Sequence, residues 1–298
     1  MGFFFEVAIG GLLAGVLYSL VALGFVLIFK ASGVFNFAQG AMVLFAALSL
    51  VRLAEIMPFA LALMLACAIM VGLAFAVERL ILRPLVNQEG IILFMATIGL
   101  SFFLDGFGQA IWGSDIYILD FGVPKDPIFI LESLFEGGIL VNEFDIFAAV
   151  VAGVLVLVLA TFFQKTRIGR ALRAVADDHQ AAQSIGIPLN QIWIIVWAVA
   201  GFVALVAGMV WGSKLGVQFS IALVALKALP VLILGGFTSV PGAIIGGLII
   251  GTGEKLSEVF IGPLVGGGIE SWFAYVVALL FLLVRPQGLF GERIIERV

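Results

Sequence analysis

Long apolar runs separated by short polar breaks occupy almost the whole chain. A helix that crosses a bilayer needs about 20 mostly apolar residues. Clear candidates lie at 6–29, 59–82, 91–112, 144–164, 190–212 and 271–286, and shorter or interrupted ones at 39–54, 221–237 and 241–260. Because these runs are continuous and do not alternate, they favour helices over barrel strands. The pattern predicts an all-α integral membrane protein, a polytopic bundle of eight or nine apolar segments, some of them half-helices or re-entrant.

Composition supports this prediction. Hydrophobic residues make up 63% of the chain and charged residues 11%, whereas soluble domains carry about 25% charged residues. Most of the surface must therefore face a lipid bilayer. No hydrophilic block is long enough to fold alone, so residues 1–298 are predicted to form a single transmembrane domain.

The distribution of basic residues predicts an orientation. Cytoplasmic loops of membrane proteins carry an excess of lysine and arginine. We therefore expect three basic clusters to be cytoplasmic, namely Lys165 with Arg167, Arg170 and Arg173; Arg79 with Arg83; and Arg285 with Arg293 and Arg297. The acidic segment 113–143 then lies outside. The N-terminus is outside if all nine segments cross, and inside if one of the first three is re-entrant.

The external segment 113–143 is too long for a simple turn. Gly122, Pro124 and Pro127 divide it into short pieces such as Ile116–Leu119 and Ile128–Leu131. We expect a small external cap with β character, which either docks an external partner or only covers the helix ends.

On the inner side, residues 165–188 form the one long polar stretch. Apolar residues recur there at helical spacing, and Gly186 with Pro188 ends the pattern. The sequence predicts an amphipathic helix. Ala181-Ala182 followed by Gly186 has a spacing that resembles the motif by which ABC importer permeases contact their ATPases, with both alanines facing the partner. The alternative is a helix that only rests on the membrane interface.

Four stretches, in order, resemble the LivH-type branched-chain amino-acid permeases. They are GLLAGVLYSLVALGFVLIFKASGVFNFAQG, TRIGRALRAVADDHQAAQSIGI, LKALPVLILGGFTSVPGAIIGGLIIG and VRPQGLFG. In the first, Asn36, Phe37, Ala38 and Gly40 match the N-F-A-H-G segment of the family, and Gln39 replaces its histidine. The second corresponds to the coupling segment of the family, in which Arg170, Arg173, Ala181, Ala182 and Gly186 would contact the ATPase.

The resemblance implies a multi-pass subunit of a bacterial inner-membrane importer. Its partners would be two cytoplasmic ABC ATPases, a periplasmic solute-binding protein, and a second permease that is either a copy or a relative. The solute would be leucine, isoleucine, valine or a related compound. Carriers of urea, short amides and aromatic acids in the same family remain alternatives. No nucleic-acid partner is predicted.

The chain carries no phosphate-binding loop of the G-x-x-x-x-G-K-[ST] type. The nearest approach, Gly208 to Gly212-Ser213-Lys214, lacks the Gly-Lys step. We therefore expect no cofactor on this chain, ATP on partner subunits, and no enzymatic activity of its own. A secondary transporter or channel is the second hypothesis. A membrane enzyme is the third, but no cluster of catalytic or metal-ligating residues supports it.

Charges inside the apolar segments are costly and are expected to pair. Three charged residues, Asp105, Lys227 and Glu254, each lie about six or seven residues from the outer end of their segment. At a rise of about 1.5 Å per residue, they lie at a similar depth in the bilayer. The sequence predicts that Lys227 approaches Asp105 or Glu254, either as a structural ion pair or as a site for a charged solute group.

Other polar residues are candidates for the solute pathway. Asn36 and Gln39 follow a break at Ser32-Gly33, where irregular backbone can line a cavity. Thr97 and Ser101 share a helix face, either lining the pathway or hydrogen-bonding within the bundle. The spacings Gly242-x-x-x-Gly246 and Gly247-x-x-x-Gly251 predict close helix packing.

Overall fold

The computed structural model describes residues 2–85, 88–132, 138–177 and 179–291, so Arg293 and Arg297 lie outside the described residues. The α-helices are α1 (Gly2–Ser32), α2 (Gln39–Ala54), α3 (Phe59–Val77), α4 (Gly90–Trp112), α5 (Glu143–Lys165), α6 (Arg167–Asp177), α7 (His179–Ser184), α8 (Leu189–Leu215), α9 (Val224–Gly235), α10 (Val240–Phe260), α11 (Gly262–Val265) and α12 (Phe273–Val284). Short π or 3-10 turns occupy Glu78–Leu82, Arg83–Leu85, Phe219–Leu223 and Ile269–Ser271, and the two strands are β1 (Pro127–Ile130) and β2 (Ile139–Asn142).

Five of the described helices are long and apolar enough to cross a membrane. They are α1, α4, α5, α8 and the helix Phe59–Leu85, which is α3 with its two added turns. Phe219–Gly235 and Val240–Phe260 form a pair bent by 114°, a geometry that fits a broken span or a re-entrant loop. Helices α2 and α12 are apolar but shorter. The protein is thus a mostly helical, multi-pass membrane protein with five or six candidate spans, and the count of eight or nine apolar segments stays a prediction.

Glycine and proline set several of the helix ends. After α1, Gly33 adopts a positive φ of 66°, a conformation that costs glycine little. Pro58 and Pro188 directly precede α3 and α8, because proline cannot donate the backbone hydrogen bond that a helix interior requires. Ser239 caps α10 by accepting a hydrogen bond from Gly242 N at 3.0 Å.

The chain forms two compact units. Unit 1 comprises Met1–Ala22, Gly122–Gly153 and Leu226–Val298, and unit 2 comprises Leu23–Phe121 and Val154–Ala225.

In unit 1, α10 packs against α1 on one side and α9 on the other. A Cβ atom on Gly15 would lie 2.3 Å from the carbonyl oxygen of Gly247, and one on Gly242 would lie 2.1 Å from that of Gly235. Gly247 and Gly251 face α1, whereas Gly242 and Gly246 face α9. The predicted close packing is confirmed, and the two glycine pairs serve two different neighbours.

Unit 1 also contains an antiparallel hairpin. Strand β1 pairs with β2 from Pro127 opposite Asn142 to Ile130 opposite Ile139. The backbone N–H of Leu140 donates to Glu6 Oε2 at 3.4 Å, so the hairpin and the first turns of α1 lie at the same end of this unit. The other predicted strand piece, 116–119, forms only an isolated bridge, between Tyr117 and Val217 of unit 2.

Helix α2 lies at the centre of unit 2, packed by α3, α4 and α8. All of its residues from Gln39 to Val51 are buried. A Cβ atom on Gly208 of α8 would lie 2.5 Å from the carbonyl oxygen of Val43. The glycines that partly resemble a phosphate-binding loop therefore belong to a continuous helix and permit its close packing on α2.

Candidate functional site

The break between α1 and α2 places two predicted pathway residues in contact. Asn36 and Gln39 are both completely buried. Asn36 Nδ2 donates to Gln39 Oε1 at 3.3 Å, and Asn36 Oδ1 accepts from Ala38 N at 3.2 Å. The asparagine thus holds the turn that leads into α2 and fixes the glutamine side chain.

Thr97 of α4 anchors the same break. Its hydroxyl accepts a hydrogen bond from Phe37 N at 3.0 Å and donates to Phe35 O at 3.1 Å or to Phe94 O at 2.8 Å. Ser101, one turn further along α4, is only half-buried. The two residues that the sequence predicts on one face therefore differ, because within the described residues Thr97 hydrogen-bonds to the break and Ser101 does not.

The Gln39 side chain packs directly on Gly24 of α1. A Cβ atom at Gly24 would lie 1.9 Å from Gln39 Nε2, so any larger residue at this position would displace the amide. Gln39 Nε2 is buried and has no hydrogen-bond partner in the part of the chain that the structure describes. The amide therefore has one donor group left for a ligand.

Four phenylalanines surround the break. Phe35 stacks on Phe25 at 5.2 Å between ring centroids, and both Phe35 and Phe37 lie 6.0 Å from Phe94. The break thus joins an apolar aromatic wall to a small set of polar groups, an arrangement that is typical of small-molecule sites.

In unit 1, Lys227 and Glu254 form the predicted ion pair. Lys227 Nζ lies 2.7 Å from Glu254 Oε1, and Tyr18 OH donates to the same oxygen at 3.1 Å. The Glu254 side chain is 1% exposed and that of Lys227 is 32% exposed. The ion pair is deeply buried at its glutamate end and, together with Tyr18, links α1, α9 and α10.

The alternative partner, Asp105, is half-buried, and its Oδ1 has no hydrogen-bond partner among the described residues.

Glu270 extends this ion pair into a network. It lies 3.3 Å from Lys227 Nζ through Oε1 and 3.0 Å from Lys255 Nζ through Oε2. Glu258 accepts hydrogen bonds from the backbone N–H of Glu270 at 2.8 Å and of Gly268 at 3.0 Å. Burial disfavours the ionised form of Glu270, but the two ammonium groups outweigh it and hold its pKa below the usual value for glutamate.

The predicted coupling segment consists of two short helices, α6 and α7. Gly186 N donates to Gln183 O at 3.0 Å and Ile187 N to Ala182 O at 3.1 Å, which is the Schellman pattern of a helix C-terminus. Gly186 has a φ of 87° and occupies the left-handed position that this motif requires. The predicted stop at Gly186 is thus confirmed.

The exposed surface of this segment differs in part from the expectation. Arg170, Arg173 and Ala181 are exposed, whereas Ala182 is 2% exposed. The expectation that both alanines face a partner is therefore wrong, because Ala182 packs into unit 2. Ile185 is 75% exposed and lies beside Ala181 on the accessible surface.

Sequence reasoning missed four members of the ion-pair network. Tyr18, Lys255, Glu258 and Glu270 lie around Lys227 and Glu254 in the structure. Glu254 and Glu258 are four residues apart and thus share a helix face, a spacing that could have indicated the network. The position of Glu270 depends on the turn after α10, which leaves no periodic signal.

Comparison with known proteins identifies relatives over nearly the whole chain. A family model described as "Branched-chain amino acid transport system / permease component" matches residues 7–285. The high-affinity branched-chain amino acid transport system permease protein LivH of Salmonella typhimurium is 29% identical over 99% of this chain and 98% of its own length. The corresponding protein BraD of Pseudomonas aeruginosa is 29% identical over 97% and 96%.

A more distant relative agrees with these two. The probable branched-chain amino acid transport permease protein LivH of Methanocaldococcus jannaschii is 28% identical over 95% of this chain and 91% of its own length. Since the family model covers both units, including the break at Asn36 and the ion-pair network, the chain belongs to the branched-chain amino acid transport permease family.

Proposed function

We propose that this protein is the transmembrane permease subunit of an ABC importer for branched-chain or related amino acids in a bacterial inner membrane. The observation that carries the proposal is the match of the permease family over residues 7–285 of a chain with five or six candidate spans. Two ABC ATPases, a companion permease and a periplasmic binding protein complete the machine.

In this proposal, energy enters through α6 and α7. ATP is bound and hydrolysed by the partner subunits, and closure of the ATPase dimer moves this segment. Exposed Arg170, Arg173, Ala181 and Ile185 supply a basic and partly apolar docking surface, and Gly186 sets the direction in which the chain leaves it. Buried Ala182 transmits the movement to the helices of unit 2.

The remaining candidate residues divide into structural and pathway roles. The Lys227–Glu254 pair locks the helices of unit 1 together, and the hairpin of β1 and β2 forms the external cap. Asn36, Gln39 and Thr97 lie along the solute route, with Ser101 at its edge. Asp105, whose Oδ1 has no hydrogen-bond partner among the described residues, is a further charge within the membrane.

Reconstitution tests this function. The chain, its companion permease and the ATPases are incorporated into liposomes with internal ATP, and the binding protein is added outside with radiolabelled leucine. Uptake is expected to require ATP and the ATPases, and isoleucine and valine should compete more strongly than urea, short amides or aromatic acids. Uptake by this chain alone, without ATPases, would contradict the proposal and indicate a secondary transporter or channel.

A further inference from the structure

Two backbone donors at the beginning of α2 (Gln39–Ala54) have no partner in the part of the chain that the structure describes. Gln39 N donates to Asn36 O at 3.2 Å, and Met42 N donates to Ala38 O at 2.8 Å. Within the described chain, the N–H groups of Gly40 and Ala41 between them make no hydrogen bond. Ala38, the residue before the helix, provides no side-chain cap. Because free N–H groups and the helix dipole act together, this helix end is positively polarised.

A third donor lies at the same helix end. Gln39 Nε2 is buried without a hydrogen-bond partner among the described residues, while Oε1 of the same amide accepts from Asn36 Nδ2. Side chains in the first turn of a helix tilt toward its N-terminus, which turns this amide to the end where Gly40 and Ala41 present their N–H groups. A buried donor without a hydrogen-bond partner is unfavourable unless a ligand accepts a hydrogen bond from it.

Three donors near one helix end favour an anion as the ligand. No acidic residue lies in the first turn of α2, so no side chain of that turn supplies a negative charge. Helix N-termini bind carboxylates and phosphates through free N–H groups. Transporters with interrupted helices direct such ends at the carboxylate of the solute.

We propose that Gly40 N, Ala41 N and Gln39 Nε2 bind the α-carboxylate of the transported amino acid. The inference rests on the proposed import function and names the solute class. The aromatic wall of Phe25, Phe35, Phe37 and Phe94 contacts the apolar side chain of the solute. Because urea and short amides carry no carboxylate, this site selects against them.

The buried position of this site matches a closed conformation. Asn36 and Gln39 are completely buried, so the solute reaches the donors only when the break moves away from α4. The hydrogen bonds of Thr97 to the backbone at Phe35 and Phe37 hold the break in the closed position.

Three substitutions at one position test the proposal in the complete reconstituted importer with leucine-loaded binding protein. Gln39→His keeps a donor and should retain uptake within about threefold. Gln39→Met has similar length without a donor and should lower uptake about tenfold, the loss expected for one hydrogen bond to a charged group. Gln39→Glu places a negative charge against the carboxylate and should lower uptake further. Gln109→Met, the same change at an exposed position of α4, is the matched control.

Two further measurements separate binding from folding and from the function itself. Each variant is scored for co-purification with the ATPases, which a misfolded chain would lose. Solid-state NMR with 13C-carboxyl leucine and 15N-labelled glycine and alanine should give a carbon–nitrogen distance below about 4 Å in the trapped complex. A longer distance, or full uptake by Gln39→Met and Gln39→Glu, would overturn the site while leaving the import function intact; failure of the unmodified complex to import leucine would instead overturn the function.

Discussion

Gly15 of α1 and Gly247 of α10 meet backbone to backbone. A Cβ atom on Gly15 would lie 2.3 Å from the Gly247 carbonyl oxygen, and one on Gly247 would lie 2.0 Å from Ser19 Oγ. Small residues at this spacing let two membrane helices approach closely and gain dispersion contacts that lipid does not replace. The contact fixes α10, which carries Glu254, against α1, which carries Tyr18.

Replacing Gly15 should therefore destabilise the protein. In a close backbone contact, Gly15→Val forces the helices apart, at a cost of about 1–3 kcal/mol. Thermal unfolding in detergent measures the effect as a lowered Tm. Gly10→Val on the same helix is the matched control, because a Cβ atom at Gly10 has nothing within 4 Å. Equal loss of Tm in both variants would contradict the packing described for α1 and α10.

Removing one member of the Lys227–Glu254 pair should lower the free energy of unfolding, because the other member is then a buried charge without a partner. Lys227→Met strands a carboxylate that is 1% exposed, with a loss of about 3 kcal/mol or less because Lys227 itself is partly accessible. Adding Glu254→Met should restore much of that loss, since the stranded charge is removed. Denaturant unfolding measures both. Glu55→Gln, in the exposed Arg52–Glu55 pair, should cost less than about 1 kcal/mol.

A different result would change the role assigned to this pair. If Lys227→Met retains stability but abolishes leucine uptake, the pair acts on the solute and does not lock helices. If the double variant is less stable than Lys227→Met, the two charges act independently.

Gly186 should matter for coupling more than for folding. Its φ of 87° is strained for any L-amino acid with a side chain, so Gly186→Leu should cost about 1–2 kcal/mol and redirect the chain after α7. We expect the ratio of leucine imported to ATP hydrolysed to fall severalfold while membrane insertion is retained. Gly153→Leu, on α5 with open space around its Cβ position, is the control. An unchanged ratio would count against coupling through this segment.

Chemical labelling can settle the side of the N-terminus. The hydrogen bond from Leu140 N to Glu6 places the start of α1 at the same end as the hairpin. In a background in which Cys67, the one cysteine, is replaced by serine, single cysteines at Phe3 and Phe129 should both react with an impermeant reagent added outside. A cysteine at Ile185 should react only after permeabilisation. Labelling of Phe3 and Phe129 from opposite sides would contradict the fold of unit 1.

Much of the helical content could be read from the sequence because apolar runs and their Gly or Pro boundaries are local signals. The small-residue spacing of α10 likewise indicated close packing, and the cost of a lone charge indicated the approach of Lys227 to Glu254. The sequence could not show that Gly242 and Gly247 face different helices, since periodicity does not name a neighbour.

The errors have the same origin. Ala182 was expected on the outer surface with Ala181, but adjacent helical residues point about 100° apart, and only one of the two can face a partner fully. Hydrophobicity alone also made 271–286 a clear span, whereas Phe273–Val284 is a short helix preceded by a turn. That turn brings Glu270 to Lys227, a tertiary contact that no local pattern encodes.

The segment from α6 to α7 is expected to receive energy from an ATPase on the inner side. A photoreactive residue at Ile185, which is 75% exposed, tests it directly in the assembled complex. We expect a crosslink to the ATPase subunit at this position, and none from a matched probe at Phe129 in the hairpin. A crosslink from Ile185 to the binding protein, or from Phe129 to the ATPase, would contradict it.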